Sequence, residues 1–234
     1  MLQVLPASTG ARRVVGGLVV TTGVVFAGFV LSFGWHRVVS PVPAVKEWFD
    51  IGGEANLPTW WNATLLVLVA VLAVTAATLS AGTPTERRAW WVVAAAATYL
   101  SIDETTELHE RLTDVGERTG LDVPTYAWLI PGVVLAVVGA TVLVVVGRSL
   151  PRPAGPRLGA ALAAYGFASL ALEALTGWIR ERSDDSPWFT VAVMGEEGLE
   201  MLACVFAVGV ILDQFQPERD GRRLTIGSRA TMVR

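Results

Sequence analysis

The residues best equipped for chemistry are carboxylates set in apolar surroundings. The stretch Ser101-Ile102-Asp103-Glu104-Thr105-Thr106-Glu107-Leu108-His109-Glu110 continues an apolar run that starts at Trp90-Trp91. On a helix Asp103, Glu107, Glu110 and Asp114 recur at i, i+4, i+7 and i+11, one acidic stripe. A later apolar run carries Glu196, Glu197 and Glu200, and Met201 and Cys204 continue the Glu197/Glu200 face; a third run carries Glu173 alone. Each acid near a bilayer centre costs about 2.5 to 3.5 kcal/mol, and like charges four residues apart repel. Several together therefore need protons, a cation or paired bases, and the nearest bases in sequence are Arg111, Arg180 and Arg182.

Carboxylates with one imidazole suit a divalent ion such as Mn, Fe or Zn. The expected ligands are Asp103, Glu107, His109, Glu110, Glu173, Glu197 and Glu200, with Glu104 and Glu196 as proton carriers. Glu54 and Asn56, in a loop loosened by Gly52-Gly53, are expected to descend onto the pocket as a lid or as further oxygen ligands. Two histidines cannot build a three-histidine zinc site, and the residue three before His109 is Thr106, so the Glu-x-x-His pair of di-iron bundles is absent. His36 reads as an interfacial residue. The sole cysteine, Cys204, excludes an intramolecular disulfide.

The elements that must carry these groups are membrane spans. Of 234 residues, 53% are hydrophobic and 17% charged, and the mean hydropathy is +0.51. Several apolar runs reach the roughly 20 residues that a bilayer requires. The predicted fold is all-α, a polytopic membrane bundle of about six transmembrane helices at about 14–34, 61–81, 89–112, 126–146, 158–178 and 188–212. The loop 35–60 contains three prolines and two glycines, so it reads as an ordered cap or a half-buried re-entrant piece rather than a helix, with one short turn at Glu47 to Asp50. Gly82-Thr83-Pro84 and the stretch from Pro151 to Pro156 read as tight turns between antiparallel neighbours. Residues 213–234 read as a basic, disordered tail. The pairs Trp60-Trp61 and Trp90-Trp91 read as interface anchors, Ala160, Ala164, Gly166 and Ala168 as close-packing positions, and Asn62-Ala63-Thr64 fits a glycosylation acceptor pattern, though at a span start.

Orientation follows from charge. With the N-terminus inside, the inner segments hold twelve of the 18 basic residues and the outer ones six, so both termini are expected in the cytoplasm of a cell-membrane protein. A net charge of −3 gives no footing for nucleic acid. Counting along the helices places Glu196 to Glu200 roughly 12 to 18 Å below the outer edge and Glu173 roughly 8 Å below it, with Asp103 also in the outer half. The expectation is an outward-facing acidic pocket holding a divalent metal, in an enzyme acting on a lipid-like or extracytoplasmic substrate. The alternatives are a proton- or cation-coupled transporter and a structural or sensory subunit. The competing reading of Asp103 to Glu110 is a shorter helix with a solvated polar end.

Overall fold

The computed structural model describes residues 9–35, 43–79, 82–183, 186–220 and 223–228. Helix α1 (Thr9–Trp35) is followed by the short α2 (Pro43–Trp48) and by a loop that leads into α3 (Leu57–Leu79). Asn56 caps α3: its side-chain oxygen accepts from the Thr59 N–H, and its amide nitrogen donates to the carbonyls of Asp50 and Gly53. The next turn ends at Thr83, whose hydroxyl accepts from the Glu86 N–H to cap α4 (Pro84–Thr106). Pro84 sits in the first turn, where a missing N–H is no loss. His36 lies outside the described residues.

A 3-10 turn (Glu110–Leu112) and α5 (Thr113–Glu117) lead to α6 (Leu129–Gly147). Then comes a rod of α7 (Ala154–Phe167), a π-helical stretch (Ala168–Leu172) and α8 (Glu173–Arg180), and finally α9 (Pro187–Leu212). Four segments are long and apolar enough to cross a membrane: Thr9–Ser32, Leu57–Leu79, Leu129–Gly147 and Ala154–Arg180. The fold is thus essentially all-helical and compatible with a membrane protein. Helices α4 and α9, of 23 and 26 residues, are as long but carry the acids.

Helix α9 is the hub, packing on α1, α3, α7 and α8. A helix apolar on nearly every side gains most when surrounded, and Met201, Val208 and Ile211 are fully buried. Small residues allow the close approach: Ala73 and Ala77 of α3 and Ala89, Ala94 and Ala97 of α4 form one buried cluster with Ala207 of α9. By contrast, only 17% of the apolar window of α1 and 11% of that of α6 is buried, which leaves these helices at the periphery.

Several expectations change in detail. Helix α4 stops at Thr106, short of residue 112, because Glu107 turns into the left-handed region at φ 52° while its N–H still bonds the Asp103 carbonyl. The stripe from Asp103 to Asp114 is therefore not one helical face. Each tryptophan pair splits, since neighbours on a helix point about 100° apart: Trp60 and Trp91 face outward, while Trp61 donates its indole N–H to Thr22 and Trp90 is core. On α7 the buried small residues are Ala154, Gly155 and Ala161; of the expected set only Ala168, the first residue of the π-helical stretch, is buried. The tail pairs Phe215–Asp220 with Arg223–Ser228 as an antiparallel hairpin, where a disordered end was expected. Thr225 and Ile226, both β-branched, favour a strand, and the segment shows no helical period.

One glycine fixes how α8 meets the loop before α6. A Cβ on Gly177 would run into the Thr125 hydroxyl and lie 2.9 Å from the Tyr126 ring, and Thr125 donates to the Ala174 carbonyl at the same contact. Gly177→Ala is expected to lower stability by about 1–3 kcal/mol, measured by thermal unfolding in detergent. An unchanged midpoint would mean that this contact is not tight.

Candidate functional site

Three helices meet at the acids. Glu104 comes from the last turns of α4, Glu197 and Glu200 from the middle of α9, and one oxygen from each lies within 4.8 Å of the others. From the first turns of α3, Asn62 points into the group with no exposure at all. Its amide nitrogen donates to the Glu200 carboxylate at 3.1 Å and lies within reach of Glu104, so it stands between carboxylates of two helices. The Asn62 oxygen faces the Cys204 thiol at 4.0 Å. Just beside it, Ser101 donates to the Ala63 carbonyl, which fixes α4 against α3 in the register that presents Glu104. Among the described residues no ion pair joins Glu104, Glu197 or Glu200 to a base.

Asp103 is engaged elsewhere. It accepts from the His109 backbone N–H at 2.9 Å, and its other oxygen lies 3.0 Å from His109 Nδ1. Burial opposes charge on His109, but the hydrogen bond and charge of Asp103, with Glu173 and Glu110 beyond, outweigh it and hold the imidazole up at about 9. The ring packs 4.6 Å from the Trp128 ring, and the Trp128 indole N–H donates to Glu173 at 3.1 Å. A continuous line of contacts therefore runs from Asp103 through His109 and Trp128 to Glu173. The π-helical stretch ends just before Glu173, and such insertions commonly re-aim the following side chain. Glu196, on the flank of α9, meets the Thr176 hydroxyl of α8 and lies within electrostatic reach of Glu173.

The sequence-predicted residues thus divide. Glu197 and Glu200 come together, and the third member of the group is Glu104, read from the sequence as a proton carrier. Asp103 and His109 pair with each other, and Glu173 pairs with Trp128. Glu107 takes the left-handed position ending α4, and Glu110 is exposed on the 3-10 turn. Asn56 is engaged in capping α3. Glu54 stands at the rim, where desolvation first and the Glu107 and Glu110 carboxylates second raise it to about 6. Asn62, Trp128 and Thr176 were not foreseen; for Asn62 the one available signal was an amide opening an apolar run.

Residues 17–214 match a family described as a domain of unknown function (DUF8692). The chain belongs to this family. The DUF8692 match takes in every helix that carries an acid of the site and ends just before the terminal hairpin. No curated protein and no solved structure matches the chain.

Proposed function

We propose that the protein is a six-span, multi-pass protein of the cell membrane with both termini cytoplasmic, and that Glu104, Glu197 and Glu200 bind one divalent cation in the extracytoplasmic half of the bilayer. The observation that carries this reading is the three-carboxylate group itself. Oxygens that share an ion at about 2.0–2.4 Å lie up to about 4–4.8 Å apart, the span found for these three. Among the described residues no base pairs with the three acids, and a cation would offset their charge in a low-dielectric interior. An all-oxygen set favours Mn, with Fe next, over Zn.

Binding, and metal-assisted chemistry on a lipid-like or extracytoplasmic substrate, is favoured over transport because the layer beneath the carboxylates is apolar. Val69, Ala73, Val208 and Ile211 belong to it, and side chains of this kind offer a crossing ion no ligands. Glu196, outside the three-carboxylate group but near it, is the proposed proton carrier.

Elemental analysis of detergent-purified protein tests the metal. Wild type is expected to hold close to one equivalent, Glu197→Gln/Glu200→Gln to lose it, and Asp103→Asn/Glu107→Gln to keep it. Well-folded wild type without metal would refute the centre, and loss in the second variant would place the ligands differently.

A further inference from the structure

A cavity of about 360 Å³, with no acid in its lining, opens between α3, α4, α6, α7 and α9. Apart from four side chains with polar atoms its lining is apolar: Arg148 and Arg152 at one end, Tyr165 and Cys204 at the other. Along α7 it runs from Gly155 to Tyr165, about ten residue steps or about 15 Å of helix. One leaflet of a hydrocarbon core measures about 15 Å, so the cavity has the length of a single acyl chain in one leaflet.

Charge at the mouth selects the head group. Arg148 directly follows the last residue of α6, Arg152 stands in the turn before α7, and both are exposed. Among the described residues neither has an ion-pair partner, whereas the nearby Arg157 pairs with Asp213 at 3.7 Å. Two guanidinium forks at the end of an apolar slot match a phosphate carried on a hydrocarbon chain. The far end is equally specific: Cys204 lies one helical turn beyond Glu200 and touches Asn62, so the slot stops against the carboxylate group.

We propose that this cavity binds one anionic phospholipid of the bilayer, its phosphate between Arg148 and Arg152 and one acyl chain reaching Tyr165 and Cys204. The site is independent of the metal, and its chain end lies where a substrate of that centre would have to reach.

Gly159 supplies the decisive variant. It lines the cavity, and a Cβ built there meets nothing within 4 Å, so Gly159→Leu can begin a side chain there without a clash and narrow the slot. Delipidated wild type, Gly159→Leu and Arg148→Ala/Arg152→Ala would each be titrated with phosphatidylglycerol and with phosphatidylcholine, read by native mass spectrometry, with metal content measured on the same samples. The expected result is a one-to-one phosphatidylglycerol adduct on wild type that is at least tenfold tighter than phosphatidylcholine. Gly159→Leu should lose it, and the arginine variant should lose the preference between the two lipids. Equal binding of both lipids to wild type would overturn the proposal, as would wild-type binding by either folded variant. Metal content that stays unchanged beside any of these outcomes distinguishes failure of the lipid site from failure of the metal centre.

Discussion

Asn62→Leu is expected to weaken divalent-metal binding about 10- to 100-fold, the usual effect of removing a group that orients metal ligands. The side chain is fully buried, donates to Glu200 and stands beside Glu104, so it meets both helices that supply the ligands. Leucine has a similar volume, so the core around Leu65, Leu66 and Met201 should close over it with little strain. What disappears is the clamp that holds Glu200 and Glu104 at a fixed separation. A hydrogen bond to a charged group contributes about 1.5–3 kcal/mol, so metal-free Asn62→Leu should also be about 1.5–3 kcal/mol less stable than metal-free wild type. Asn62→Asp provides the contrast: it removes the donor but adds a fourth carboxylate oxygen, and is expected to bind Mn at least as well as wild type while being the least stable of the three without metal. Calorimetric Mn titration with thermal unfolding in detergent reads both quantities. Wild-type affinity in Asn62→Leu would show that the amide plays no part in presenting the ligands.

Hydrophobic run length and charge were enough to read the helical architecture and the presence of acids in apolar surroundings, because both are set by transfer energies that act on a segment alone. The division of labour among the acids was not legible, and Asp103 and Glu104 show why. Adjacent on one helix, they point about 100° apart, one toward the His109 turn and the other toward α9. Which of them joins Glu197 and Glu200 depends on the rotation of α4 against α3, fixed by the Ser101 hydroxyl and the alanine seam. The end of α4 was hidden for a related reason. Glu107 is a good helix former, and a helical stripe through Glu110 and Asp114 is consistent with its sequence; the capture of the His109 backbone N–H by Asp103 favours the turn instead. Asn62 was readable as an amide in an apolar run, but its role depends on a partner 138 positions away.

The Asp103–His109 pair should make the protein less stable as pH rises from about 6.5 to about 9. His109 titrates near 6.5 in an unfolded chain and at about 9 in the fold, so the folded state binds the proton more tightly. The resulting stabilisation is complete below about 6.5 and is lost as pH climbs through about 9. The difference between the two values corresponds to roughly 3 kcal/mol, and with the ring still 27% exposed solvent screening brings the expected figure to about 2 kcal/mol. Asp103→Asn removes the first cause of the raised value, so its unfolding midpoint should change far less across the same interval. The gap between it and wild type should be widest near pH 6 and narrowest near pH 10. Glu54, raised to about 6 by desolvation and by Glu107 and Glu110, ionises below most of this window. Wild-type and Asp103→Asn midpoints that run parallel from pH 6 to 10 would refute the pairing. A converging pair of curves would establish that the turn after α4 is held by an imidazolium, and with it the Trp128 and Glu173 contacts that stack behind that ring.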